Sequence, residues 1–222
     1  MSARRLVIDC ATPALSVALF EGDACLDAHH SEPGRGHAEA LLPAIAALPD
    51  GGRAGAILVD IGPGSFTGVR VGLAAARALG FAWQAEVGGY GCLDLVAAMV
   101  RDRFAPEGEF PVVMVGGHGE LFWALCPAQS SGEHATVRST PIAELAAALD
   151  HPVIYGSGAP TLIDARGGVG AAVPLLPDAR RIGLLPESLR GLPPRPNYGR
   201  GADAKPMAAR QAPPLPQRSA CP

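Results

Sequence analysis

Three sets of residues in this chain have the types and spacing for chemistry. The first is "DIGPGSFTGVR", Asp60 to Arg70, which places three glycines, a proline, a serine and a threonine between an apolar run and a helix-like stretch. Loops of this composition hold phosphates through backbone N–H groups at a helix start. The second is Asp9, an acid closing the apolar run "RLVID". A strand-end acid of this kind caps the loop after it. The third is the set of six histidines and five cysteines, the side chains that bind transition metals.

The loop matches neither standard nucleotide signature. A Walker A loop requires a lysine, and the one lysine of the chain is Lys205. The spacing Gly62-x-Gly64-x-x-x-Gly68 misses the dinucleotide fingerprint by one residue. Two readings stay open. Gly62 and Gly64 permit positive φ, so the strand can stop abruptly, and Ser65 or Thr67 can cap the next helix. The same capped helix start leaves N–H groups free for an anion.

The metal reading has little support. His29, His30, His37, His118, His134 and His151 form no H-E-x-x-H and no pair four residues apart. Cys10, Cys25, Cys92, Cys126 and Cys221 are odd in number and contain no C-x-x-C. That excludes a paired-thiolate zinc knuckle and argues against a disulfide framework. No tightly bound metal or cofactor is expected.

The elements that must hold these residues are read from hydropathy. "RLVIDCA", "LSVALFEGD" and "ACLDAHH" read as two or three strands with short turns. "GHAEALLPAIAAL" reads as a helix from about Gly36 to Leu48, with Leu41, Leu42, Ile45 and Leu48 on one face. Pro43 lies inside it, which predicts a kink or a late start. "GAILVDIG" is an apolar run suited to a strand buried on both faces. A helix of about 17 residues comes after the glycine loop, then a short strand in "AEVGGYG" and a helix near Cys92 to Val100. Further on, "FPVVMVGGHGELFWALC" reads as a hairpin, "PIAELAAAL" as a short helix and "HPVIYGSGAP" as a strand. Proline accumulates from Leu184, and Pro193 to Pro222 reads as extended and non-regular. The polar stretch "RDRFAPEGEF" suggests a boundary between units 1–104 and 105–222, which points to a mixed α/β chain of two lobes.

Within the second helix Gly72, Ala76 and Gly80 recur every four residues beside Val69 and Leu73. Small residues let another backbone come close. That backbone could belong to the protein's own sheet or to another chain.

Composition sets outer limits. Hydrophobic residues are 48% of the 222, as in a packed globular protein, and the net charge of −3 gives no footprint for nucleic acid. No stretch reaches the roughly 18 to 20 apolar residues of a membrane span, and the start has no signal-peptide pattern. A cytoplasmic protein with no membrane contact is expected.

"LVIDCATPALSVALFEG", "GHAEALLP" and "DIGPGSFTGVRVGLAAARALGFA" together resemble the TsaB family, a subunit of the machinery that makes threonylcarbamoyladenosine in tRNA. The family's first strand reads I-D-T-A-T-x-x-x-S-V-A-L, which Asp9, Ala11, Thr12 and Ser16 to Leu19 match, with Cys10 in place of the first threonine. Its G-P-G-S-F-T-G-x-R is met from Gly62 to Gly68 and at Arg70. The likeness is strongest over the first 100 residues. Later, "VGGHGELFWAL" keeps Gly119, Glu120 and Phe122 but lacks the family's preceding Asp-Ala-Arg, and "RPNYGR" keeps Pro196, Tyr198 and Arg200.

The resemblance implies an α/β, two-lobe actin-like ASKHA fold, each lobe a mixed sheet with helices and the second lobe reduced. It implies nucleotide contacts at Asp9, Thr12, Gly62, Gly64, Ser65 and Thr67, with Asp9 where the superfamily handles nucleotide-bound magnesium. It implies an interface with the catalytic subunit TsaD at His37, Leu41, Leu42, Ile45, Leu48, Val69, Gly72, Leu73, Ala76 and Gly80. The same helices would serve a homodimer. TsaE would be an accessory partner, ATP or ADP would sit at the complex interface, and tRNA would be met only through the complex. The TsaD metal histidines align with Cys92 and Val96, so no catalytic residue is assigned here. The competing readings are a small ATPase or phosphotransferase built on Asp9 and the glycine loops, and a metallopeptidase, which the histidine pattern disfavours.

Overall fold

The first strand, β1 (Arg4–Asp9), is buried from Leu6 onward and lies at the centre of a five-stranded sheet. A computed structural model describes residues 4–34 and 36–199. β1 pairs antiparallel with β2 (Leu15–Glu21), and β2 with β3 (Ala24–Ser31). On its other side β1 pairs parallel with β4 (Ala56–Asp60), and β4 with β5 (Glu86–Tyr90). The order is β3-β2-β1-β4-β5. The two or three opening strands expected from the sequence are three.

A second sheet repeats this plan. β6 (Phe110–Gly117) pairs antiparallel with β7 (Glu120–Cys126), and β7 with β8 (Arg138–Pro141). β6 then pairs parallel with β9 (Val153–Tyr155), and β9 with β10 (Ala171–Val173). Read from β8 the order is β8-β7-β6-β9-β10, the same three antiparallel and two parallel strands. This is the two-lobe actin-like α/β arrangement, and the second lobe is the smaller: β9 and β10 have three residues each.

Helices form the remaining layers. α1 (His37–Ala46) and α2 (Phe66–Trp83) cover one face of the first sheet, burying Leu41, Ile45, Val69 and Leu73 against Ile8, Ile57 and Val59. Pro43 neither delays nor breaks α1, which starts at His37 and continues past it. Pro43 and Glu39 are both exposed, so the carbonyl left without an N–H partner faces solvent. α3 (Cys92–Phe104) lies between the sheets. Its Val96 and Val100 pack on the second sheet, while Leu95 and Ala98 pack on the first. A helix apolar on both sides is one that is buried on both sides. α4 (Ile142–Ala148) and α5 (Ala159–Ala165) close the outer face of the second sheet around Leu145, Leu162 and Ile163.

After β10 the chain returns to the first lobe. The 3-10 turn Ala179–Leu184 packs beside Val7 and Phe20, and the Ala179 N–H donates to Ser16 Oγ at 2.9 Å. Leu192 then bridges to Gly89, and the Asn197 N–H donates to the Ile61 carbonyl at 2.7 Å. The first sheet is thus completed by residues far from it in sequence. The expectation for Pro193 to Pro222 lies mostly outside the described residues, as do Arg200 and Cys221.

The small-residue stripe of α2 faces inward. A Cβ on Gly72 would lie 2.8 Å from Cys10 Sγ and 3.5 Å from Val59 Cγ2, and one on Gly80 would collide with Val87 Cγ2. Ala76 is fully buried. The close backbone belongs to the protein's own sheet, which corrects the assignment of Val69, Gly72, Leu73, Ala76 and Gly80 to a partner interface. Leu41, Ile45 and Leu48 are corrected for the same reason, since all three are buried in the same core. Leu42, 53% exposed, and the half-buried His37 are the two of the ten that reach the surface.

Candidate functional site: the cleft between the lobes

The ends of β1 and β4 open onto a cleft of about 1170 Å³ between the two lobes. Its first wall is the turn Ala11–Thr12–Pro13 with the start of α2, Gly64 to Gly68 and Arg70. Its second wall is the β6–β7 hairpin, Met114 to His118, with Phe122 and Ser157. His37, Ala38 and Glu39 of α1 form the floor of one side, and Phe66 and Tyr198 flank the mouth.

The glycine loop is shaped by contact with β1. The Ser65 N–H donates to the Ala11 carbonyl at 2.6 Å. A Cβ on Gly64 would run into the Ala11 carbonyl oxygen, and one on Gly68 into that of Cys10. Gly62 has φ of 101° and lies against the Asn197 carbonyl, so a side chain there is excluded twice over. The three glycines therefore serve backbone-to-backbone packing within the chain. Ser65 caps α2, its Oγ accepting the Gly68 N–H at 3.3 Å.

At the mouth the Arg70 guanidinium lies 3.5 Å from the centroid of the Phe66 ring and donates from Nε to Tyr198 Oη at 3.0 Å. Phe66 and Tyr198 are 5.3 Å apart between centroids. The cation is thereby committed to a stack on the rim.

Beneath the cleft wall lies a buried acid pair. Asp9 is fully buried, its Oδ2 accepting from Tyr90 Oη at 2.9 Å. Asp60 stands on the neighbouring strand and its Oδ1 accepts the Gly62 N–H at 2.7 Å. The remaining oxygens, Asp9 Oδ1 and Asp60 Oδ2, have no other donor among the described residues. Burial, then the Asp60 charge, pushes Asp9 well above the usual carboxylate range. Burial also raises Asp60, opposed by the Gly62 N–H and by Asp9. A proton on Asp9 would let its carboxyl donate to Asp60 and give both orphaned oxygens a partner. Their neighbours Cys10 and Cys92 are held as neutral thiols by burial first and then by these two acids.

Of the residues expected to meet a nucleotide, Thr12, Gly64, Ser65 and Thr67 line the cleft. Thr12 is largely buried and its Oγ1 accepts the Ala14 N–H at 3.2 Å. Gly62 and Asp9 do not reach the cleft. Asp9 is sealed behind the wall and its acid is raised by burial, so the residue expected where the superfamily handles nucleotide-bound magnesium does not line the cleft. Asp60 is a partner that the motif alone does not single out. Its signal is present in the sequence all the same: like Asp9, it is an acid ending a buried apolar run.

The family model of TsaD, tRNA N6-adenosine threonylcarbamoyltransferase, matches residues 28–140. The chain belongs to this family, in its TsaB branch. It is 35% identical over 130 residues to the Escherichia coli tRNA threonylcarbamoyladenosine biosynthesis protein TsaB, covering 54% of each chain. It is 34% identical over 126 residues to an uncharacterized protein of Mycobacterium tuberculosis, covering 54% of this chain and 57% of that one. The chain spans about half the length of the curated relatives it matches. Among solved structures, an uncharacterized Pseudomonas aeruginosa protein with similarity to peptidase YeaZ aligns over 89% of this chain and all of its own, at 26% identity and a TM-score of 0.69. A second, YeaZ from Pseudomonas aeruginosa, aligns over 82% of this chain at a TM-score of 0.65.

Cys92 and Val96, the positions that the resemblance sets against the TsaD metal histidines, are core residues. Cys92 is fully buried and its thiol donates to the Pro63 carbonyl at 2.9 Å, and Val96 packs on the second sheet. No group of three or more His, Cys, Asp or Glu side chains near enough to hold a metal occurs among the described residues. No helix among them is long and apolar enough to cross a membrane.

Proposed function

We propose that this chain is a non-catalytic subunit of the system that forms threonylcarbamoyladenosine in tRNA, and that it acts by binding TsaD. The supporting observation is that the acids Asp9 and Asp60 lie beneath the cleft wall rather than in it. Phosphoryl transfer needs charged groups, usually with a metal ion, at the phosphate. Asp9 and Asp60 are sealed off and raised by burial, Arg70 is stacked on the rim, and the cleft-lining loops carry no lysine. The one carboxylate lining the cleft among the described residues is Glu39 of α1.

The binding face is set by exposure. With the inner faces of α1 and α2 committed to the core, their outer faces present Leu42 and Phe81, the latter 90% exposed, together with Ala74 and Ala78. Exposed large apolar side chains on adjacent helices suit a protein partner. We place TsaD there, with a second copy of this chain as the competing occupant in its absence. Nucleotide effects would then require TsaD and the ATPase accessory TsaE, with ATP or ADP at the assembled interface and tRNA reached through the complex.

Phe81→Asp tests this. The variant should keep the wild-type melting temperature, because residue 81 touches no core, and should lose TsaD binding by about tenfold or more in calorimetry. Unchanged affinity would remove this face from the interface. ATP turnover by the isolated chain that disappears in Thr67→Ala would favour the phosphotransferase reading instead.

A further inference from the structure

A second constellation lies on the far side of α3, away from the cleft. Asp94 sits in the first turn of α3 with its side chain 5% exposed. Both of its oxygens face the loop 127–137, which joins β7 to β8. Oδ1 accepts the Ala135 N–H at 2.9 Å, and Oδ2 pairs with Nδ1 of His134. Two consecutive residues of the loop are thus held by one buried carboxylate. The seat is built for the ring: a Cβ on Gly91 would lie 2.6 Å from His134 Cε1 and would also strike the Asp94 carboxylate.

The loop has other ties, all neutral at the loop's side. The Pro127 carbonyl accepts from Arg101 Nε at 3.0 Å, and the Gly132 carbonyl from Ser188 Oγ at 2.8 Å. Under it is a small cavity of about 320 Å³ between Ala97, Cys126, Leu185 and Leu189. α3 is the helix shared by both sheets, and Ser188 belongs to the segment that returns to the first lobe. The loop therefore fastens the second sheet to elements of the first.

We propose that His134 and Asp94 form a protonation-dependent latch that holds the β7–β8 loop against α3 and so stiffens the junction of the two lobes. Protonated, the imidazole gives the buried carboxylate a charge-assisted partner; neutral, it offers at best an ordinary hydrogen bond in one tautomer. The titratable and charged groups around the ring are Asp94 and Arg101 of α3, Cys126 at the end of β7 and Glu133 beside it in the loop. The 185–189 segment presents Leu185, Pro186 and Leu189. Cys126 is pushed up to about 12, chiefly by burial, and stays neutral. The hydrogen bond to Asp94 raises His134 above its ordinary value, against the opposing effect of burial. The latch is then fully closed below the ordinary histidine value of about 6.5 and loosens as pH rises through the raised one.

The test is solution NMR on the full chain, following the His134 ring and the exchange of the Ala135 amide with solvent from about pH 5.5 to 9, a range that spans the histidine titration. His134 should titrate above a histidine in an unstructured peptide. Protection of Ala135, corrected for the intrinsic pH dependence of exchange, should fall about tenfold for each pH unit of that difference. His134→Gln should leave Ala135 at the wild-type high-pH level throughout, with the fold intact because the ring is one-third exposed. A His134 midpoint at the peptide value overturns the latch. So does Ala135 protection that is flat with pH in the wild type, or still pH-dependent in His134→Gln.

Discussion

The two lobes share a plan down to the turn after their first parallel crossover. β4 is succeeded by Gly62 and β9 by Gly156, with φ of 101° and 106°. In the first lobe the Ser65 N–H donates to the Ala11 carbonyl after β1; in the second the Gly158 N–H donates to the Val113 carbonyl of β6. A Cβ on Gly64 would strike the Ala11 carbonyl, and one on Gly156 that of Val113. The lobes differ in the helix launched by the turn and in the residues beneath it. The first lobe launches an 18-residue helix and holds two acids under the turn; the second launches a seven-residue helix over Ile154. Glycine loops in this chain are therefore a means of closing a helix onto a strand, present in both lobes. The acid pair marks the one where nucleotide chemistry would be expected.

The largest test of that contrast is Ala76→Arg against Ala147→Arg. Ala76 is sealed between α2 and the first sheet, so a guanidinium there overpacks the core and buries an unpaired charge, costing about 4 kcal/mol or more. Thermal denaturation should show loss of the cooperative transition. Ala147 is exposed on α4, and its replacement should change stability by less than about 0.5 kcal/mol. A well-folded Ala76→Arg protein would mean that the stripe does not pack as described.

Next in size is the pair of loop glycines. The methyl of Gly68→Ala meets the Cys10 carbonyl, a backbone atom that cannot turn away, and should cost about 2–3 kcal/mol in urea denaturation. Gly158→Ala meets mainly side-chain atoms, Leu121 Cδ2 at 2.9 Å and Val113 Cγ1 at 3.0 Å, besides the Met114 carbonyl carbon at 3.0 Å. It should cost about 1–2 kcal/mol, because the side chains can yield. Equal costs would show that the first-lobe loop has no special tightness.

The smallest effect is the pH dependence set by the acid pair. A carboxyl raised in the folded state binds its proton more tightly there than in the unfolded chain. Its stabilising effect is complete below the unfolded value of about 4 and is lost as pH rises through the raised value. Asp9→Asn supplies a permanent donor to Asp60 without the titration. Its melting temperature relative to wild type should therefore improve from about pH 5 to pH 8, above the unfolded carboxylate value. A difference that stays constant with pH would show that the two acids do not share a proton.

Much of the architecture is legible in the residues. The apolar runs Leu15 to Phe20 and Ile57 to Val59 are local signals of strands, although Ser16 within the first is buried too and owes that to Ala179 from the far end of the chain. The glycine loop is legible as a tight turn, and Ser65 as its cap. The direction of the stripe is not. Gly72, Ala76 and Gly80 say that something comes close; that it is Cys10, Val59 and Val87 depends on how α2 lies on the sheet. The latch is invisible too, since Asp94 and His134 are about forty residues apart and neither sits in a motif.

The sequence by itself determined the first-lobe elements, the turn chemistry and, through three motifs in order, the TsaB-type family, because each of these is encoded by neighbours along the chain; the short second-lobe elements β8, α5 and β10 carry too few residues to show a period of their own. Only the tertiary structure decided what each signal is used for. It turned the small stripe inward, buried Asp9 and Asp60 side by side so that both acids are raised, and brought residues 178–199 back onto the first sheet. Those outcomes depend on which distant surfaces meet, and burial, the quantity that sets both a side chain's accessibility and its charge, exists only once they have met.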